Sequence, residues 1–144
     1  MITASRYHDF SAGHKVTGHE NKCSHLHGHN YRVHFIVRLG SGLDDIGRVM
    51  DFSVIKSLLC DWLESNWDHR FLIYEKDRDA LWLQEQFTED VVLTSFNPTA
   101  ENMAEHLVES VGPRQLHITG CELIRCVVEE TRKCQATYSK AVDV

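Results

Sequence analysis

Between positions 30 and 39 the chain alternates. Tyr31, Val33, Phe35, Val37 and Leu39 share one parity, and Arg32, His34 and Arg38 the other. A period of two predicts a strand with one face buried. A first strand is read at 5–10, a turn cluster at 40–45, and residues 48–50 close the sheet pairing. The period then lengthens to three and four. Ile55, Leu58, Leu59 and Trp62 follow Asp51 and Ser53, either of which can cap a helix. Met103, Ala104, Leu107, Val108 and Val111 follow Thr99, a second cap, with Asn97-Pro98 stopping the chain before it and Gly112-Pro113 ending the helix. A shorter helix is expected within 77–87, and strands return at 118–129 and 134–138. Strand–strand–helix–helix–strand–strand predicts an α+β domain built on an antiparallel sheet. Four strands leave two open edges, which invite pairing with another subunit.

Length and composition narrow the setting. One domain over 1–144 is expected, large enough to bury a core without staples. No apolar run opens the chain or approaches the ~18 residues that span a bilayer, so neither signal peptide nor membrane contact is expected, and a cytoplasmic location is the default. Cys23, Cys60, Cys121, Cys126 and Cys134 are odd in number and irregularly spaced, which suits free thiols in a reducing compartment. Net charge is −6 and no basic stripe occurs. Nucleic acid is therefore a poor partner, and a small molecule a better one.

Five of the ten histidines fall at His14, His19, His25, His27 and His29. On an extended chain His27 and His29 point to the same face, and Gly28 between them lets another backbone approach. His14 can meet them from the neighbouring arm of the hairpin. Three neutral imidazoles give Zn²⁺ a tripod with one position open, the catalytic pattern rather than the structural one. His25 shares the parity of the pair and is the alternative third ligand; otherwise it is exposed or beside the site. His8, His19, His34, His106 and His117 read as surface or packing residues.

Cys23 sits in a polar loop, Glu20-Asn21-Lys22, that no core would want. A thiol near a divalent cation but not bound to it ionises readily and can act as a general base. The other four cysteines read as small buried hydrophobes. Asp68-His69 is ordinarily a surface dipeptide, but in a turn both groups can face a third and complete a proton relay with Cys23. Glu129 and Glu130 end an otherwise apolar strand, and only one can face a pocket. A carboxylate there either grips a guanidine-like edge through two parallel hydrogen bonds or is simply a solvated strand end.

Phe10-Ser11-Ala12-Gly13-His14, Cys23 with His27-Gly28-His29-Asn30-Tyr31, Val49-Met50-Asp51-Phe52, Asp68-His69, Asn97-Pro98-Thr99-Ala100-Glu101-Asn102 and Glu129-Glu130-Thr131 occur in order along nearly the whole chain. Together they resemble the 6-pyruvoyl-tetrahydropterin synthase / 6-carboxytetrahydropterin synthase family. The resemblance implies His14, His27 and His29 as zinc ligands, Cys23, Asp68 and His69 as the proton-transfer group, and Glu130 and Thr99 as residues that hold the pterin. It implies the tunnelling fold: a four-stranded antiparallel sheet with two main helices on one face, joined into a trimeric barrel and stacked as a hexamer, with active sites between subunits. The short gap in Cys-x-x-x-His-Gly-His resembles the 6-carboxy branch of queuosine biosynthesis. The segment 74–96 is longer than in compact members, and Tyr138-Ser139-Lys140 lacks the usual glycine–acid finish.

The expected reaction takes 7,8-dihydroneopterin triphosphate to 6-carboxy-5,6,7,8-tetrahydropterin, acetaldehyde and triphosphate. One alternative is a 6-pyruvoyl enzyme that eliminates triphosphate without cleaving the side chain. A second is a zinc-containing pterin-binding protein with no turnover, against which Cys23 and Asp68-His69 argue.

Overall fold

The computed structural model describes residues 1–19 and 25–141. Strand β1 (Ala4–Lys15) runs further than the expected 5–10 and carries His14 with it. It pairs antiparallel with β2 (His27–Leu39), and β2 pairs antiparallel with β5 (Cys121–Glu129), which pairs with β6 (Gln135–Ser139). These are the four antiparallel strands expected.

Two further strands extend the sheet to six, a correction to the expected count. β3 (Arg70–Tyr74) lies parallel to β1, and β4 (Val91–Thr94) parallel to β3, giving the order β4-β3-β1-β2-β5-β6. Both are short apolar runs without alternation, as suits strands covered on both sides. β3 pairs along residues 12–15 of β1, and β4 forms the outer edge. The α3 helix (Ala80–Gln86) connects them and packs Ala80 and Leu83 onto Ile73 and Val91. The long segment 74–96 is therefore a helix and strand that widen the sheet.

The two main helices are continuous runs, each with one widened π turn in the middle. The first comprises α1 (Phe52–Ile55), the π turn Lys56–Cys60 and α2 (Asp61–Asn66); Asp51 caps it by accepting from Ser53 N. The second comprises α4 (Ala100–His106), the π turn Leu107–Val111 and α5 (Gly112–Leu116), capped by the Thr99 hydroxyl. Gly112-Pro113 does not end this run, contrary to expectation. The widened turn lets Gly112 N donate to Leu107 O, and Pro113 falls in the first turn of α5, where its missing N–H matters little.

Both helical runs bury their apolar sides on one face of the sheet. Ile55, Leu59, Leu63, Met103, Leu107, Val108 and Val111 meet Phe10, Tyr31, Val33, Phe35, Val37, Cys126 and Val128. The other face is polar. There Arg32 makes a two-pronged pair with Asp9 at 2.7 and 3.0 Å and lies 4.1 Å over the Tyr7 ring, while His34 bonds Glu129. Among the described residues no helix is long and apolar enough to cross a membrane.

Candidate metal centre and active site

Cross-strand register assembles the histidines. His14 stands opposite His27, and Ala12 opposite His29, so all three imidazoles project from the same face of the β1–β2 hairpin. Between them lies the Gly13–Gly28 pair. A Cβ on Gly28 would meet the Ala12 carbonyl oxygen at 3.0 Å, so the glycine lets the two backbones close up at the site. One nitrogen from each ring lies within 4.8 Å of the others. His14 is 1% exposed. His25 is exposed and does not belong to the group; it contributes only its backbone carbonyl.

The hydrogen bonds fix which nitrogens are free. His14 Nδ1 donates to Pro98 O at 2.7 Å and His27 Nδ1 to His25 O at 2.8 Å. In neutral rings both Nε2 atoms then carry lone pairs, yet they face each other at 3.0 Å. Such an arrangement repels unless a cation or a proton lies between. His29 Nε2 is also buried, and it has no hydrogen bond. Glu130 Oε1 approaches it to 3.1 Å, but without hydrogen-bond geometry. Burial pushes the pKa of His14 and of His29 below the usual histidine value, so both rings are neutral and able to ligate near neutral pH. The set can hold a metal ion, with backbone carbonyls orienting two of the three ligands.

The expectation that only one of Glu129 and Glu130 faces a pocket does not hold: Glu129 lines the cleft of about 640 Å³ that holds Asp68 and His69, and Glu130, the residue after β5, lies against the histidines. Glu129 turns to the polar face and bonds His34, whereas Glu130 turns toward the imidazoles, 3.3 Å from His14 Nε2. Thr99 lies next to Pro98, the residue that orients His14, and its hydroxyl accepts from Asn102 N.

Asp68 and His69 form a pair of their own. His69 has a backbone φ of 57°, which turns the chain so that its N–H reaches Ser11 O at 2.6 Å. Asp68 Oδ1 accepts from Ser11 N at 3.0 Å, and Oδ2 accepts from His69 Nδ1 at 2.7 Å. Burial alone would raise the Asp68 pKa, but the hydrogen bonds from Ser11 N and His69 hold it below the usual carboxylate value. The ionised carboxylate fixes the His69 tautomer with Nε2 outward, as a general base requires. His69 lines a cleft of about 640 Å³ with Ser11, Asn30 and Glu129, and one of about 630 Å³ with Ser11, Gly13, Gly28 and Asn30 that also takes in Ala12 and His29. Ser11 and Asn30 alternate away from the three histidines, yet the second cleft reaches both His69 and His29. Cys23 lies outside the described residues.

Three contributors escaped the sequence reading: the carbonyls of Pro98 and His25, and Tyr31, whose hydroxyl lies 3.3 Å from His14 Nδ1. Backbone acceptors leave no residue-type signal, although the rigid Asn97-Pro98-Thr99 was a pointer. Of the remaining cysteines, Cys60 and Cys126 are buried as expected, and burial pushes the Cys60 thiol up to about 11. Cys134 departs from expectation. It is exposed, because it falls in the turn before β6 rather than on the strand.

The chain matches the family model described as 6-pyruvoyl tetrahydropterin synthase over residues 3–141. A 6-carboxy-5,6,7,8-tetrahydropterin synthase of Rickettsia typhi is 34% identical over 93% of this chain and 97% of its own length. The protein of the same name from Rickettsia bellii is 37% identical over 79% and 83%. Among solved structures, an uncharacterised protein of Wolinella succinogenes superposes with a TM-score of 0.85 at 23% identity, covering 97% of this chain and 98% of the other. The 6-pyruvoyl tetrahydropterin synthase of Caenorhabditis elegans gives 0.69 at 24% identity, covering 97% and 96%. The fold is the tunnelling fold, and with relatives matched over nearly their full length, the chain belongs to the 6-pyruvoyl tetrahydropterin synthase family of enzymes.

Proposed function

We propose that this chain is a zinc-dependent 6-carboxy-5,6,7,8-tetrahydropterin synthase acting in the cytoplasm in queuosine biosynthesis. It would convert 7,8-dihydroneopterin triphosphate and water to 6-carboxy-5,6,7,8-tetrahydropterin, acetaldehyde and triphosphate. The observation that carries the reading is the convergence of His14, His27 and His29, two of them with their free nitrogens aimed at each other by backbone carbonyls. The names of the relatives supply the reaction.

Bound zinc would supply Lewis-acid polarisation of the substrate's side-chain oxygens. The residues of the chain do the rest. His14, His27 and His29 would hold the ion, Glu130 would grip the 2-amino and N3 edge of the pterin, and Thr99 would border the ring. Cys23 would take a proton from the side chain as thiolate. His69, oriented by Asp68, would return a proton elsewhere on the pterin. The chain would act as a trimer or hexamer with active sites between subunits, so that the relay of one copy meets the histidines of another.

The test is incubation of zinc-loaded protein with 7,8-dihydroneopterin triphosphate and identification of every product. Acetaldehyde with the 6-carboxy product supports the reading. A pyruvoyl product without acetaldehyde would shift it to the 6-pyruvoyl reaction named by the family model. Wild-type levels of bound zinc and turnover in His27→Ala would sink the metal reading altogether.

A further inference from the structure

We infer that Glu130 is a fourth, displaceable metal ligand, whose carboxylate closes the open corner of the three-histidine site until a pterin draws it away. The inference rests on the metal reading of that site and goes beyond the ring-anchoring role given to Glu130 above.

Three donor separations have the length of coordination-shell edges, although the set whose ligand atoms all lie within 4.8 Å of one another is His14, His27 and His29, with Glu130 at its margin. Donor atoms bound to one ion at ~2.0–2.1 Å in a tetrahedron lie about 3.3 Å apart along each edge. His14 Nε2 to His27 Nε2 is 3.0 Å, His14 Nε2 to Glu130 Oε1 is 3.3 Å, and His29 Nε2 to Glu130 Oε1 is 3.1 Å. Hydrogen bonding does not account for this packing. The His14 ring already donates from Nδ1, and His29 Nε2 makes no hydrogen bond although the carboxylate is beside it. Lone pairs that crowd together without protons between them are what a cation organises.

The ligand is also placed to leave. Glu130 lies in the turn joining β5 and β6, held there by its own N–H to Cys134 O at 3.1 Å, so the side chain can swing while the backbone stays. Its side chain is 27% exposed, against 2% for His14. Four protein ligands close a zinc site, and a catalytic site needs one position free. A pterin offers two parallel N–H groups on one edge, the partner a carboxylate prefers for a two-pronged bond. Ring binding and opening of the corner then become a single event. The ion stays shielded from thiols and small anions until the ring arrives.

The experiment uses the full chain loaded with Co²⁺, as wild type, Glu130→Gln and Glu130→Ala, with circular dichroism confirming the fold. Three quantities are read: Co²⁺ affinity against a chromogenic chelator, the visible spectrum, and azide binding with and without unsubstituted pterin. Wild type should hold Co²⁺ at least about tenfold more tightly than either variant, the scale on which ligand-sphere changes act. Its spectrum should differ from theirs, and it should take up azide only when pterin is present. The variants should bind azide without pterin. Equal spectra and equal azide affinity across the three proteins would overturn the inference. His27→Ala separates the two failures. If it loses Co²⁺ while the Glu130 variants match wild type, only the role of Glu130 falls. If it binds Co²⁺ like wild type, the metal reading falls with it.

Discussion

Asp77→Ala should destabilise the fold by about 3 kcal/mol, whereas Asp79→Ala, removing a carboxylate on the same lysine, should cost less than about 1 kcal/mol. Lys15 Nζ lies 3.1 Å from Asp77 and 3.0 Å from Asp79, so distance does not separate the pairs. Burial does: the Asp77 side chain is 2% exposed and that of Asp79 50%. Asp77 also accepts from the Thr17 hydroxyl at 2.7 Å and from Asp79 N at 2.9 Å. Truncation leaves both donors without an acceptor and Lys15 with one anion. Breaking a buried pair costs roughly 3–5 kcal/mol, and Lys15's remaining partner places the loss at the low end. Near 150 residues each kcal/mol moves Tm by about 2–4 °C, so a fall of roughly 6–12 °C is expected. Urea melts at fixed protein concentration give the two losses directly. The acid limb is a second readout. Burial alone would raise the Asp77 pKa, but hydrogen bonds from Asp79 N, Thr17 and Lys15 hold it below 3.8. Its contribution is therefore complete above 3.8 and lost as pH falls below that value, and Asp77→Asn should lack this part of the profile. Losses for Asp77→Ala and Asp79→Ala within about 0.5 kcal/mol of each other would refute the argument from burial.

Asp68→Asn should lower kcat on the order of 10²–10⁴-fold, because His69 loses the carboxylate that fixes its tautomer, while zinc content by atomic absorption stays unchanged. Zinc loss in that variant would contradict a role for Asp68 confined to orienting His69. His106 packs against Trp67 and Phe96, and burial pushes its pKa below 6.5. The unfolded chain takes up that proton first, so stability is full above 6.5 and declines below it; the stability of His106→Phe relative to wild type should therefore rise between pH 7 and 5 in urea melts. A relative stability independent of pH would rule this out. Gly112→Ala should cost about 1–2 kcal/mol despite alanine's better helix propensity. Its Cβ would sit 2.8 Å from Leu123 Cβ, an atom fixed to the backbone of β5, so the overlap outweighs the gain; unchanged or increased Tm would show that β5 yields.

The parts of the fold that the sequence displayed are those with one wet side and one dry side. Tyr31, Val33, Phe35 and Val37 alternate with Arg32, His34 and Arg38 because β2 has helices on one face and none on the other. Thr99 and the Met103 to Val111 spacing announce a helix for the same reason. β3 and β4 were invisible because Leu72, Ile73 and Val91 are covered whichever way they point, so periodicity vanishes. Their position depends on a contact across 58 residues. Phe71 packs where Gly13 has no side chain, and a Cβ there would lie 2.6 Å from the ring. Read backwards, that glycine was the signal.

The candidate site divides in the same way. His-x-His on a strand declares a shared face, and register needs only one further histidine to make a metal group. Which side of the sheet a turn residue faces is not written in any period. Asp68 and His69 follow a helix end and are placed by Ser11's N–H and C=O, a backbone interaction without a residue preference. The sequence could therefore name both chemical groups and not their relative placement. In the assembly proposed above, with active sites between subunits, the three histidines of one copy would act together with the Asp68–His69 pair of another. Mixing an inactive His27→Ala variant with an inactive Asp68→Asn variant should then restore part of the activity, since some interfaces pair an intact metal group with an intact relay. No recovery after the subunits are shown to have exchanged would mean that each chain completes its own site.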